Sequence, residues 1–244
     1  MKKLKAQTYK IKDICSETIS EMYNLYAQYY DAINEQRFRD DLHEKDYVIL
    51  VINSNNVICG FSALQHYKVT IEDVICWIAY SGDTIVHHQH WGDQSLALEW
   101  CKLVGYLKAE HPERPLYWFL VSKGHRTYRY LNAFAKSYYP NKKLCIPYEM
   151  KTVMDYLAKN KFGDYYKSQT GVVAFPESLG HLKPEWDDIN EHENRNEDAR
   201  FFLSCNPKYK QGHELVCLAE LSQSNFRSFG LDKFKEGLNA KSVG

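Results

Sequence analysis

The sequence predicts an α+β fold in which a mixed, mostly antiparallel sheet is flanked by helices and followed by a C-terminal extension. Three observations predict it. Several short runs are apolar or alternate between apolar and polar residues. Segments with apolar residues at three- and four-residue steps lie between some of these runs. Up to Pro140 the predicted order of these segments is β-α-α-β-β-β-β-α-β-α.

The first strand and two helices come before the sheet's central strands. Residues 7–13 alternate and predict a strand. Residues 16–33 predict a helix, since apolar and tyrosine side chains recur at helical spacing and Ser16 or Thr18 can cap its start. Residues 35–42 predict a second, shorter helix.

A run of consecutive strands follows. The apolar segments 47–52 and 57–69 surround an Asn-rich turn and predict a β-hairpin. Residues 70–80 predict a third strand of this meander, and residues 81–86 a fourth.

A long helix and a central strand complete the pattern before Pro140. The helix is predicted from about residue 93 to 110, and its apolar stripe consists of Leu96, Ala97, Trp100, Cys101, Leu103, Val104 and Leu107. Residues 116–121 are rich in apolar and aromatic side chains, as is typical of a central strand. Residues 127–139 predict another helix, which Pro140 ends.

The periodicity weakens after Pro140. A helix at 149–160 and strands at 171–175 and 213–221 are predicted, and the polar run 185–198 indicates an exposed loop or a helix start. No clear linker separates this part from the rest. The expected organisation is a core at residues 1–140 and a C-terminal extension at residues 141–244 packed on the same domain.

Composition excludes several classes of function. Among 244 residues, 31 Lys and Arg balance 31 Asp and Glu, so no positive field favours nucleic-acid binding. The apolar runs are only as long as strands, and the N-terminal segment has no apolar stretch, so neither a membrane span nor a secretory signal is expected. The seven cysteines form no C-x-x-C pair, which indicates reduced thiols and a cytoplasmic location.

The element order up to Pro140, together with the segment VICWIAYSGDTIVHHQHWGDQSLALEWC at 74–101, resembles the GNAT superfamily of acyltransferases. The segments FLVSKGHRTYRYL and NPKYKQGHELVCLAEL are similar to an uncharacterised branch of GNAT-like bacterial proteins. The resemblance implies an acyl-CoA-dependent N-acyltransferase, most simply an N-acetyltransferase using acetyl-CoA, with an unidentified amine as its acceptor.

The resemblance also implies where acyl-CoA binds. The family holds it where two parallel strands splay apart, here 82–86 and 116–121, so Ile85, Val86 and His87 are expected along the open edge. The pyrophosphate site at the following helix N-terminus is expected to use Trp91, Gly92, Asp93, Gln94 and Ser95. Only Gly92 survives of the family's glycine pattern, and Asp93, a good N-cap, competes for the same N–H groups. The turn between the strand 116–121 and the following helix contains Ser122, Lys123 and Arg126. These residues are expected either to contact the phosphates of acyl-CoA or to form a turn exposed to solvent.

Acyl transfer to an amine needs a base and an acid. Asp83 is the predicted base, with Glu72 and Asp73 as substitutes. An equally supported interpretation is that Asp83 only caps nearby N–H groups in a Ser-Gly-Asp turn. The resemblance implies a tyrosine acid on the helix after the last motif strand. Tyr128 and Tyr130 are the candidates, with Tyr128 favoured as the nearer to the strand end; core packing is the alternative for either.

The sequence leaves two other interpretations of the function open. His87, His88 and His90 could suggest a metal site, but no further ligand is evident and a solvated loop is preferred, so no metal is predicted. The chain could instead be a catalytically inactive ligand-sensing or protein-interaction module of the same fold, which the altered loop favours. The acceptor, the acyl chain and the oligomeric state are not predicted.

Overall fold

An eight-stranded sheet organises the fold. The computed structural model describes residues 4–187 and 195–242. Ten strands are present in this part of the chain: Lys5–Lys10 (β1), Tyr30–Asp31 (β2), Tyr47–Ile52 (β3), Ile58–Ile71 (β4), Val74–Val86 (β5), Leu116–Ser122 (β6), Tyr166–Lys167 (β7), Val172–Val173 (β8), His181–Leu182 (β9) and Glu214–Glu220 (β10). Eight of them form one sheet in the order β1-β3-β4-β5-β6-β10-β8-β7, and β2 pairs with β9 separately. Since β5 and β6 run parallel and the other pairs are antiparallel, the predicted fold class is confirmed.

Helices cover both faces of this sheet. Their bounds are Ser16–Tyr26 (α1), Glu35–His43 (α2), Ser95–Glu110 (α3), His125–Phe134 (α4), Tyr148–Phe162 (α5), Pro184–Asp187 (α6), Glu197–Cys205 (α7) and Ser228–Leu238 (α8). In β3, Ile49 and Val51 join the core beneath α3, α4, α7 and α8. Their neighbours Val48 and Leu50 join the core beneath α1 and α2. Strand alternation thus buries both faces, and α5 covers the second face farther along.

The meander contains three strands where the sequence predicted four. Ile71 pairs with Val74, so Glu72 and Asp73 form a two-residue hairpin turn, and both have positive φ (46° and 65°). Such turns usually carry Asn, Asp or Gly at the first position and Gly at the second, so Glu72-Asp73 lacked the usual sequence signal of a turn. Strand β5 then runs without interruption through Ser-Gly-Asp, which had been predicted to begin a separate strand.

Two predicted helices end earlier than expected, because tertiary pairing takes over their last residues. The helix predicted at 16–33 ends at Tyr26, and Tyr30 pairs with Leu182 in the small two-stranded sheet. The helix predicted at 127–139 covers His125–Phe134 instead. Beyond it, the backbone N–H of Tyr139 donates to the Leu218 carbonyl at 2.8 Å.

The part of the chain after Pro140 supplies a central strand. Strand β10 lies between β6 and β8, and Cys217 pairs with Leu120, so the predicted strand at 213–221 is found in the sheet itself. Helix α8 lies directly on α3: a Cβ added at Gly105 would clash with the Phe234 carbonyl oxygen. Residues 188–194 of the polar run 185–198 lie outside the described residues. The boundary at residue 140 remains a prediction.

None of the helices in the described part of the chain combines the length and the apolar character that crossing a membrane requires.

Candidate functional site

The two parallel strands separate halfway along their length. Pairing between β5 and β6 runs from Trp77 opposite Leu116 to Ser81 opposite Leu120, and ends there. Strand β5 continues to Val86, still paired with β4 on its other side. Residues 82–86 therefore present one open edge, as the sequence predicted for this segment.

Strand alternation decides which backbone groups face that edge. The N–H of His87 donates to the Cys59 carbonyl at 2.8 Å, so His87 faces β4. Because N–H and C=O of one residue point to the same side in an antiparallel pair, Ile85 also faces β4, whereas Thr84 and Val86 face the open edge. The Val86 carbonyl there accepts a hydrogen bond from the Trp91 indole N–H at 2.9 Å. Of the predicted edge residues, only Val86 offers its backbone to the gap.

A β-bulge places Asp83 next to this gap. Ser62 pairs with Thr84 and Leu64 pairs with Ser81, so Ala63 alone faces both Gly82 and Asp83. Bulges of this kind redirect a side chain and are common next to active sites. A Cβ at Gly82 would meet Lys45 Cε at 2.8 Å, so the glycine leaves room for the lysine across the bulge.

Asp83 is a carboxyl group with a perturbed pKa. Burial raises its pKa to about 6, and the ammonium groups of Lys123 and Lys45 only partly oppose the change. Within the described residues, no hydrogen bond to its carboxylate is present. The Lys123 side chain is itself held 3.5 Å from Glu214. Burial alone would lower the pKa of Lys123, but the carboxylates of Glu214 and Asp83 outweigh it and raise that pKa.

Asp83 lines a cavity of about 670 Å³ on the side of α1, α2 and α5, which we call the tyrosine-lined cavity. Four tyrosines contribute to its wall, namely Tyr26, Tyr30, Tyr80 and Tyr165. Seven charged side chains contribute as well: Arg37, Asp41, Asp83, Lys123, Lys161, Glu177 and Glu214. This combination suits a polar ligand with an apolar body better than an aliphatic one.

A second cavity, of about 660 Å³, lies beside the loop 87–94 and the start of α4. We call it the loop-side cavity; its lining includes Val86, Trp91, Gly92, Asp93, Arg126 and Tyr130. Tyr30, Thr84 and Thr127 line both cavities. The two spaces therefore meet where β5 and β6 separate, beside the bulge that carries Asp83.

The loop before α3 is organised by Asp93. Its carboxylate accepts hydrogen bonds from the Ser95 N–H at 2.8 Å and from the Ser95 hydroxyl. Gln94, rather than Asp93, is the N-cap residue, and its side chain makes no capping bond. The prediction that Asp93 lies near the N-cap is confirmed, and its charge does occupy an N–H group at the helix start.

Trp91 is held between two other side chains of the loop-side cavity. The Arg126 guanidinium lies 4.3 Å from the centre of its ring, and the Trp186 ring contacts it edge to face at 5.6 Å. Because its indole also binds Val86, this side chain covers part of the open edge. A ligand that hydrogen-bonds to the Val86 carbonyl must therefore share this oxygen with the indole or displace it.

The structure separates the two candidate tyrosines. Tyr128 is 0% exposed, and its hydroxyl donates to the Pro140 carbonyl at 2.9 Å, while its ring packs against Phe202 at 5.8 Å. It is a core residue facing away from the cleft, so the preference for Tyr128 over Tyr130 is not supported. Tyr130 lines the loop-side cavity, and burial raises the pKa of its phenol, which keeps it protonated.

Of the remaining predicted site residues, some line a cavity and others do not. Lys123 lines the tyrosine-lined cavity rather than a phosphate site, whereas Arg126 does line the loop-side cavity. Ser122 is buried and donates to the Gly124 carbonyl at 2.7 Å, which fixes the turn. The substitutes Glu72 and Asp73 occupy the hairpin turn at the opposite end of β5.

Some residues of the site carried no sequence signal. Thr84 and Thr127 lie at the junction of the cavities, and Lys161 and Glu214 come from the segment treated as an extension. Their places depend on how distant segments meet. In the part of the chain that the structure describes, no group of three or more His, Cys, Asp or Glu side chains could hold a metal ion.

Asp93 gives a direct test of anion binding at this loop. If the pyrophosphate of acyl-CoA binds at the start of α3, Asp93→Gly should tighten acetyl-CoA binding by about 0.5–1.5 kcal/mol through loss of a like charge. Asp93→Asn is the matched variant, since it keeps an oxygen for the Ser95 N–H. Calorimetric titration compares them: weaker binding by both variants would mean that the carboxylate only organises the loop.

Comparison with known proteins gives similarity in structure only. No family model and no curated protein matches the chain. A protein from Enterococcus faecalis V583 described as a probable N-acyltransferase has a TM-score of 0.40 at 12% identity, over 56% of this chain and 33% of that one. A GNAT family N-acetyltransferase from Escherichia coli, solved with CoA, has a TM-score of 0.38 at 11% identity, over 54% of this chain and 69% of that one.

A GCN5-related N-acetyltransferase from Kribbella flavida has a TM-score of 0.40 at 12% identity, over 56% of this chain and 34% of that one. The match thus spans about a third of the Enterococcus and Kribbella proteins. At these identities the likeness concerns the fold alone. All three are described as N-acyltransferases or N-acetyltransferases, and the similarity of this chain to them is partial.

Proposed function

We propose that the chain is an acyl-CoA-dependent N-acyltransferase, most simply an N-acetyltransferase, that transfers the acyl group to an amine. One observation supports this above all: two cavities meet where parallel strands separate, beside a carboxyl group whose pKa is raised to about 6. A base with a pKa near the working pH is suited to removing a proton from an attacking amine.

Each of the two substrates would bind in its own cavity. Acyl-CoA would use the loop-side cavity, with the open edge at Thr84 and Val86 for its pantetheine amides and Arg126 for its phosphates. The acceptor amine would use the tyrosine-lined cavity, where Asp83 lies. The reacting groups would then meet at the junction lined by Tyr30, Thr84 and Thr127.

Each bond change can be assigned to a residue of the chain. The amine nitrogen attacks the thioester carbonyl carbon and gives a proton to Asp83. The backbone N–H of Thr84, which faces the gap, can stabilise the negative charge that develops on the carbonyl oxygen. The C–S bond breaks, and the phenol of Tyr130 can give its proton to the sulfur of CoA.

The two tyrosines provide a matched pair of variants. Tyr130→Phe should lower the chemical step by ~10²–10⁴-fold with acetyl-CoA affinity nearly intact, because only the proton donor is lost. Tyr128→Phe should keep turnover and lose about 0.5–1.5 kcal/mol of stability, since the hydrogen bond to the partly buried Pro140 carbonyl is lost. Free-thiol release and thermal unfolding measure both. Full turnover in Tyr130→Phe would eliminate this acid, leaving Tyr30 at the junction to be tested the same way.

A second function is supported by a different observation. The Trp91 indole already occupies the Val86 carbonyl, and Asp93 already occupies an N–H group at the start of α3. Both contacts favour a GNAT-fold module that senses a ligand or binds a protein without catalysis. This alternative predicts that acyl-CoA does not bind.

A thermal shift measurement discriminates between the two functions. Acetyl-CoA at 100 times its dissociation constant should stabilise the chain by about 2.7 kcal/mol, which raises the melting temperature by a few degrees. ADP is the control ligand, because it lacks the pantetheine that would pair with β5. No shift with acetyl-CoA or longer acyl-CoAs would favour the non-catalytic module.

A cytoplasmic location is also part of the proposal. All seven cysteines are free thiols, and Cys59, Cys76, Cys101 and Cys217 are buried. Reduced thiols suit a reducing compartment.

A further inference from the structure

Two side chains of opposite charge face the tyrosine-lined cavity, and within the described residues neither has an ionic partner closer than 3.9 Å. Asp83 lies at the bulge of β5, and Lys161 projects from the last turn of α5. The two residues come from segments far apart in sequence. Both line the same cavity of about 670 Å³, so one ligand can contact both.

Lys161 is poorly compensated within the protein. Its side chain is only 24% exposed, and the nearest carboxylate is that of Glu44, at 3.9 Å and itself 62% exposed. Its ammonium group lies 4.4 Å from the centre of the Tyr80 ring. Burial and then the nearby Lys45 lower the pKa of Lys161, so its charge is held at some cost in free energy.

Three other charged side chains of the cavity wall are already paired. Asp41 lies 2.8 Å from Lys45, which is not part of the wall, and Lys123 lies 3.5 Å from Glu214. Arg37 and Glu177 are of opposite charge and exposed, where water screens them. One anion and one cation therefore remain for a ligand to neutralise.

From this arrangement, and resting on the transferase function proposed above, we infer that the acceptor is an amino acid, an amine that also carries a carboxylate. Its amine lies toward Asp83, beside the junction of the cavities, and its carboxylate lies toward Lys161. A buried ion pair at each end stabilises such a ligand, whereas a simple amine leaves Lys161 unpaired. The aromatic walls, including Phe162 and Phe175, contact the carbon chain between the two charges.

Calorimetric titration of the full chain with matched ligand pairs tests the inference. Each pair is an amino acid and the amine left when its carboxylate is removed: tyrosine and tyramine, ornithine and putrescine, tryptophan and tryptamine. We expect at least one amino acid to bind about tenfold or more tightly than its amine. Equal or tighter binding by every amine, or no binding by any amino acid, overturns the inference.

Variants of two lysines on α5 locate the carboxylate site. Lys161→Met should abolish the preference for the amino acid, and Lys159→Met, at an exposed position two residues away, should keep it. Because its charge is unfavourable in the fold, replacing Lys161 should not lower the melting temperature. Lys161→Gln serves as a second variant of the same site. A preference that survives both substitutions overturns the inference.

Thiol release from acetyl-CoA, measured in parallel, separates this inference from the proposed function. Amino-acid binding that depends on Lys161 but is accompanied by no thiol release leaves the site standing and contradicts the transferase. Thiol release driven as well by amines as by their amino acids supports the transferase and contradicts the amino-acid site.

Discussion

Replacing Asp83 by asparagine is expected to lower the rate of acyl transfer by ~10²–10⁴-fold and to leave acetyl-CoA binding nearly unchanged. The side chain keeps its size, so the bulge and the cavity keep their shape. What is lost is the carboxyl group beside the junction whose pKa, raised to about 6, suits a base near neutral pH. Free-thiol release and calorimetric titration measure the two quantities separately.

The pH dependence gives an independent sign of the same role. A base must be ionised, so kcat/KM should rise with pH through an ionisation near 6, the pKa of Asp83. Asp83→Asn should lose this ionisation. Asp73→Asn, in the exposed hairpin turn at the other end of β5, is the matched control and should keep both the rate and the profile. Full turnover by Asp83→Asn would exclude Asp83 as the base.

Ionisation of Asp83 should raise activity but lower the stability of the folded chain. Burial raises the pKa of Asp83 from 3.8 to about 6, so the folded chain binds this proton more tightly than the unfolded chain. Its ionisation therefore reduces stability as pH rises between about 4 and 6, by at most about 3 kcal/mol. Since Lys123 also loses a partner, Asp83→Asn should gain about 1–2 kcal/mol at pH 8. A loss of stability would mean that the carboxylate has a structural role.

A chain that ends at Pro140 should not fold into a stable, soluble protein. It lacks β10, whose residues Leu215–Ala219 are fully buried, and it lacks α5, α7 and α8. Phe119 of β6 and Tyr128 of α4, each 0% exposed, would lose much of their cover. Exposing these two side chains alone removes roughly 3–6 kcal/mol, a large part of the stability of about 5–15 kcal/mol of a typical domain.

Circular dichroism and thermal unfolding of the shortened chain test this expectation. A chain ending at Ala240, beyond α8, is the control and should unfold in one cooperative transition. A soluble, cooperatively folded chain ending at Pro140 would show instead that residues 1–140 form an independent core, contrary to the expected packing of both parts as one domain.

Local sequence patterns predicted most of the sheet and the helices that cover it. Apolar alternation indicated the central strands, and the stripe from Leu96 to Leu107 indicated α3, because these patterns reflect burial on one or two fixed faces. The resemblance to a known family pointed to the open edge of β5 and to Asp83. In the structure the open edge includes Thr84 at the junction of the cavities, and Asp83 lies beside that junction.

Other features depended on contacts between distant segments. The turn at Glu72 and Asp73 is fixed by the pairing of Ile71 with Val74 in the sheet rather than by a local turn signal. Tyr128 and Tyr130 are two residues apart on one helix, so a rotation of about 200° places one in the core and the other in the cleft. Spacing alone did not give the orientation of that helix, which is set by packing against α7 and α8.

The sequence by itself determined the fold class and most of the strands and helices before Pro140, and it singled out the segment that carries Asp83, the proposed base. Only the tertiary structure decided that the last long strand lies inside the sheet, that Lys161 and Glu214 belong to the same cavity as Asp83, and that Tyr130 rather than Tyr128 lines the cleft. The physical reason is that the spacing of apolar residues within one helix or strand already shows which of its faces is buried. The relative placement of charges is fixed only when elements more than a hundred residues apart pack together.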